Sequence, residues 1–250
     1  MGHKLLVVCA VAVAVLGFGV SAKAEPWAPG ACSFDGTSLN CSGSTGGLSA
    51  SAVFTISGNN LVIVLTNTAS GDTSIGPADL LGALFFNVVG NPALTSGGAA
   101  VTSGSSIANG SGNVGDHWAY NSSLDTSAAV FGDRDYGISA VGFGLAGLDK
   151  FHLMSGNIVN GQPNGVDWMI GPSDFSTSTC QGTTCGVPVI VNSATFTLVI
   201  PSGATLNLAS DITGVVFQWG TSLEPVPEPG TLALFGTGLI GLAAVIRRRQ

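Results

Sequence analysis

The side chains with chemical reach are few, and their spacing narrows what they can do. Beyond residue 24 the chain has four cysteines, Cys32, Cys41, Cys180 and Cys185, and two histidines, His117 and His152. In an exported protein an even cysteine number is met most simply by two disulfides. Three pairings are open; the sequence-local one, Cys32–Cys41 with Cys180–Cys185, needs no assumption about the fold. A four-thiolate zinc site is the alternative chemistry, although the Cys32/Cys41 spacing is wider than the usual zinc pair.

Neither histidine lies in an H-E-x-x-H helix, and the chain has no G-x-S-x-G elbow. A Ser–His–Asp triad is defined by geometry and not by order, so a secreted hydrolase would need His117 or His152 in a cleft beside a carboxylate and a nucleophile. Trp118 and Tyr120, beside His117, read either as the core face of a strand or as a stacking platform for a sugar. Gly132-Asp133-Arg134-Asp135-Tyr136-Gly137 is the one dense charge cluster. Carboxylates at i and i+2 could join a calcium shell, but an EF-hand loop wants Asp or Asn at position 137 and Arg134 offsets the charge. A solvated turn is the plainer reading. The expectation is a protein without catalytic residues, cofactor or metal.

Composition limits what can position these groups. Of 250 residues only 8% are charged, while 37 are glycine. Disorder needs low hydrophobicity and high charge, and this chain has neither. Helix formers with solvated side chains are scarce, so strands and turns are expected. Residues 25–224 hold 13 acidic residues against two basic ones, Arg134 and Lys150, a balance of −11. Such a surface repels phosphates, which argues against a nucleic-acid partner.

Alternation supplies the strands. Phe54 and Ile56 share one face of Ala52–Ser57, with Thr55 and Ser57 on the other. Gly58-Asn59-Asn60 reads as a hairpin loop into Leu61–Leu65, whose unbroken apolar run predicts a strand covered on both sides. Phe196, Leu198 and Ile200 alternate with Thr195 and Thr197, and Val215, Phe217 and Trp219 alternate with Val216 and Gln218. Ala83–Val89, His117–Tyr120, Ile138–Leu145 and Val187–Val191 are further strand candidates. Thr95–Gly112, rich in Ser and Gly, reads as a long mobile loop. The predicted fold is all-β, an antiparallel β-sandwich or jelly roll over residues 25–224. An N-terminal signal helix and a single C-terminal apolar helix flank it.

Both ends address the chain. His3 and Lys4 precede the apolar run Leu5–Val20, and Ser21-Ala22-Lys23-Ala24 supplies the small-x-small pattern of a signal peptidase site. Residues 1–24 therefore read as a signal peptide, cut between Ala24 and Glu25. At the other end stand Val226, Pro227, Glu228 and Pro229, then Leu232–Ile246, then Arg247, Arg248 and Arg249. The prolines keep the linker extended. Fifteen uncharged residues make about 22 Å of helix, short of the roughly 30 Å hydrocarbon core. Such a segment holds a chain in the membrane only transiently, and the arginines keep its end cytoplasmic. Gly236, Gly238 and Gly241 match a dinucleotide fingerprint in spelling only, since no βαβ unit can surround them.

Pro-Glu-Pro, an apolar helix and terminal arginines in that order resemble the PEP-CTERM sorting signal of Gram-negative bacteria, over residues 225–250. The resemblance implies recognition by an exosortase, trimming near the motif after an inner-membrane intermediate, and release or attachment at the cell surface or extracellular matrix. It further implies association with exopolysaccharide and biofilm. A carbohydrate-binding module or a secreted hydrolase on the same tail is the alternative.

Overall fold

Alternating apolar and polar residues, broken by Gly-, Ser- and Asn-rich turns, build strands throughout the folded region of this computed structural model. It describes residues 27–70, 74–124, 132–141, 152–155 and 166–221. The signal peptide, its cleavage site, the sorting motif, the apolar helix and the arginine cluster lie outside the described residues. In chain order the strands are β1 (Trp27–Pro29), β2 (Ala31–Phe34), β3 (Ser38–Thr45), β4 (Leu48–Ser57) and β5 (Asn60–Asn67). There follow β6 (Leu81–Val88), β7 (Thr95–Val101), β8 (Ser106–Ala108), β9 (Ala119–Asn121) and β10 (Tyr136–Ser139). The remaining described strands are β11 (His152–Leu153), β12 (Ile170–Gly171), β13 (Val189–Val191), β14 (Ser193–Val199) and β15 (Ile212–Trp219).

They form two sheets in a sandwich-like arrangement, as the composition predicted. One has six strands in the order β2-β3-β4-β5-β14-β7. The other has nine, β11-β9-β10-β6-β12-β13-β8, with β15 also on β6 and β1 on β15. Pairing among the described strands is antiparallel except between β12 and β13. The core lies between the sheets. Phe54 of β4 meets Phe86 of β6 edge-on, ring centroids 5.5 Å apart, and Phe86 stacks on Tyr136 at 5.4 Å. Trp118 packs on Phe196 of β14 at 4.8 Å. Burying one such ring stabilises the fold by about 1.5–3 kcal/mol.

Four sequence expectations need correction. Thr95–Gly112 is not a loop throughout: β7 pairs with β14 along the edge of the six-stranded sheet, and β8 pairs with β13. Glycine serves this edge because a Cβ at Gly97 would lie 3.1 Å from the Thr197 side chain and carbonyl, so the strand approaches closer than other residues allow. Leu61–Leu65 is buried on one face only. Leu61, Ile63 and Leu65 face the core, whereas Val62 and Val64 are half-buried opposite Thr55, Val53, Thr197 and Thr195. The reverse holds for β15, where Val216 and Gln218 are as buried as Val215, Phe217 and Trp219. This strand is interior to its sheet, between β1 and β6, and both its faces are covered between Val215 and Trp219. The His117–Tyr120 strand starts late, at Ala119, because His117 closes a 3₁₀ turn over Val114–Asp116.

Candidate functional site

Both sequence-local disulfides are present. Cys32 and Cys41 sit directly opposite each other on β2 and β3, so pairing register alone brings their Cα atoms to 4.0 Å. Cys180–Cys185 closes the 3₁₀ turn Gly182–Cys185. Thr184, buried inside that turn, donates its hydroxyl to the Gln181 carbonyl at 2.7 Å and lies 3.1 Å from the Ile75 carbonyl. The four sulfurs are thus taken up in two separate disulfides, which overturns the four-thiolate zinc alternative.

The aromatic platform is also overturned. Trp118, Tyr120 and Trp168 are 0%, 4% and 3% exposed and belong to the core. Trp118 meets Phe196 of the facing sheet, while Trp168 is covered by the His117 ring and lies against Gly112. The Trp118 Nε1–H donates to the Trp168 carbonyl at 2.8 Å, and the Trp168 N–H donates to the Pro188 carbonyl at 2.6 Å. These bonds hold Trp168 at φ 64°, a left-handed conformation that a bulky residue adopts only under constraint. Gly112 leaves room for its ring, since a Cβ there would lie 2.9 Å from the indole.

His117 stacks flat on that indole, with ring centroids 4.1 Å apart and planes 7° from parallel. Burial holds its imidazole below the usual histidine pKa, while Asp116 and Asp167 act in the opposite direction. The ring is therefore neutral at pH 7 and packed by one face. His152 begins β11, paired opposite Tyr120. The two histidines lie on different elements, and among the described residues no three His, Cys, Asp or Glu side chains converge on a metal position.

The charge cluster works as a latch. Arg134 donates from Nε to the Gly214 carbonyl and from Nη1 to the Asp133 carbonyl, the latter at 2.6 Å. The Asp135 N–H donates to Asn87 Oδ1 at 2.8 Å, and the Leu124 N–H donates to the Asp135 carbonyl at 2.9 Å. The segment is thereby fastened to β6 and to β15. Arg134, read from sequence as a charge offset, is a backbone clamp. A separate groove of about 260 Å³, lined by Ile56, Asn59, Ile200, Pro201, Ser202 and Leu206 among others, has no charged side chain.

One structural detail escaped the sequence reading. The Asp35 carboxylate accepts from the Thr37 N–H at 2.9 Å, the Ser38 N–H at 2.7 Å and Asn40 Nδ2 at 3.0 Å, fixing the β2–β3 turn. Asp followed by Gly between two strands was the available signal.

The sorting function rests on the tail, where sequence comparison decides. Residues 225–249 match the family model of the PEP-CTERM protein-sorting motif. The tail is a PEP-CTERM sorting motif. Comparison with curated proteins and with solved structures yields no match. The PEP-CTERM match covers Val226, Pro227, Glu228, Pro229 and Arg247–Arg249, the residues that carried the resemblance. A PEP-CTERM tail implies an exported protein, trafficked through the membrane to the cell surface and sorted by an exosortase.

Proposed function

We propose that this chain is a non-enzymatic structural protein of the bacterial cell surface or extracellular matrix. Signal peptidase removes residues 1–24, the C-terminal apolar segment holds an inner-membrane intermediate, and an exosortase trims it near Pro227-Glu228-Pro229. The disulfide-stapled sandwich is the delivered cargo, and exopolysaccharide of a biofilm matrix is its proposed environment. The PEP-CTERM match carries this reading. It is supported by a domain whose described tryptophans pack into or against the core and whose histidine stacks on one of them. The acidic, base-poor composition suits a neutral polymer better than nucleic acid.

The test replaces Pro227, Glu228 and Pro229 with alanine and leaves the helix and arginines intact. Insertion by hydropathy and positive-inside bias should survive. The altered chain should then accumulate in the membrane untrimmed, while the unaltered one is shortened and reaches the surface. Mass measurement with and without an exosortase reads this out. If neither chain is shortened in either host, so that the masses differ only by the three substitutions, the tail is a plain anchor.

A further inference from the structure

One segment forms the margin of both sheets. Trp27–Pro29 pairs with β15 at the edge of the nine-stranded sheet, and Ala31–Phe34 pairs with β3 at the edge of the six-stranded one. Gly30 makes the crossing. Its N–H donates to the Val215 carbonyl at 2.8 Å, and a Cβ there would lie 2.9 Å from the Val215 side chain. Across from it, a Cβ at Gly43 of β3 would lie 2.8 Å from both the Phe217 ring and the Pro29 carbonyl. The two glycines let this strap lie directly on the core.

Its retention is uneven. Ala28 is buried, yet all four residues of β2 are exposed, including Phe34 at 43%. Burial therefore contributes little to holding β2. What holds it is four residues of ladder, the Cys32–Cys41 bond and the Asp35–Thr37 turn.

We propose that the strap, residues 27–34, is an exchangeable strand that can dock on β3 and β15 of a second copy, and that the Cys32–Cys41 bond is the lock confining it to its own chain. The occupant fits by identity: the vacated edges accept the same register and the same Gly30–Gly43 approach, and no new surface is needed. Asp35-Gly36-Thr37 is the hinge, and its opening costs the hydrogen bonds to Asp35. An exported chain crosses the membrane with thiols. Oxidation by a disulfide carrier removes two electrons and two protons from Cys32 and Cys41, forms their S–S bond and leaves the carrier as a dithiol. If the strap is home when this happens, the chain is locked as a monomer. If it is exchanged, the same bond ties two copies together.

Two experiments test this on the full exported chain. Cys32→Ser and Cys41→Ser variants are produced together in one host and run on a non-reducing gel. Exchange yields a covalent dimer several-fold above either variant alone, joined Cys32 to Cys41 by peptide mass, while wild type stays monomeric. Adding Asp35→Ala to both variants should raise the yield further. In the second experiment wild-type chain in ¹⁴N and ¹⁵N forms is mixed, reduced, unfolded and reoxidised at high concentration. Mixed-isotope Cys32–Cys41 peptides are expected, with Cys180–Cys185 peptides remaining unmixed as the internal control. Absence of mixed Cys32–Cys41 peptides with correct Cys180–Cys185 pairing overturns the proposal, as does a dimer linked only Cys32 to Cys32.

Discussion

The imidazole of His117 lies flat against the indole of Trp168, 4.1 Å between ring centroids, on a backbone held at φ 64°. The contact desolvates one face of the imidazole, and burial is the main reason its pKa is lowered. A lowered histidine pKa means that the folded state resists protonation. Stability is then complete above the unfolded pKa of about 6.5 and falls as pH drops from there through the folded value. Denaturant midpoints measured from pH 7.5 to 5 should decline in the wild-type chain and decline less in His117→Asn. A steeper decline in the variant would contradict the assignment.

Asp35 acts in the same direction at lower pH, through hydrogen bonds to its charged form and not through burial. Hydrogen bonds from Thr37 and Ser38 hold its carboxyl well below the usual carboxylate range. Its contribution is present above the unfolded pKa near 4 and is lost as pH falls below it. Asp35→Ala should lower stability at pH 7 and flatten the acid limb of the stability curve below pH 4. Asp211, held low by the Asn207 N–H and the Ser210 hydroxyl, works the same way, so the limb will not vanish altogether.

The folded, exported chain should show no free thiol without reductant, because Cys32–Cys41 and Cys180–Cys185 use all four sulfurs. Replacing Cys180 and Cys185 together by serine should cost about 2 kcal/mol, the value expected for so short a closed loop. Guanidinium unfolding with and without the bridge measures it.

Phe54 is fully buried and meets Phe86 across the two sheets. Phe54→Ala should destabilise the domain by about 3–5 kcal/mol, through lost burial and the cavity left behind. A loss under about 1 kcal/mol would mean that the sheets do not share this core.

Local chemistry was open to reading from the chain. Pro227-Glu228-Pro229, the apolar run and Arg247–Arg249 form a linear signal that needs no partner from elsewhere in the fold, so spelling and order sufficed. The short Cys32–Cys41 and Cys180–Cys185 loops, and the alternation in Ala52–Ser57 and Thr195–Ile200, are likewise neighbourhood properties. The tertiary structure decided everything that depends on which strand lies beside which. Val62 and Val216 are both apolar strand residues, yet one is half-buried near an open face and the other is interior, because their neighbours differ. The Ser- and Gly-rich run Thr95–Val101 became a strand because β14 offered it an edge, and Trp118 became core because Phe196 arrives from a strand far along the chain. Composition records what a residue can bury. Only the sheet order determines what there is to bury it against.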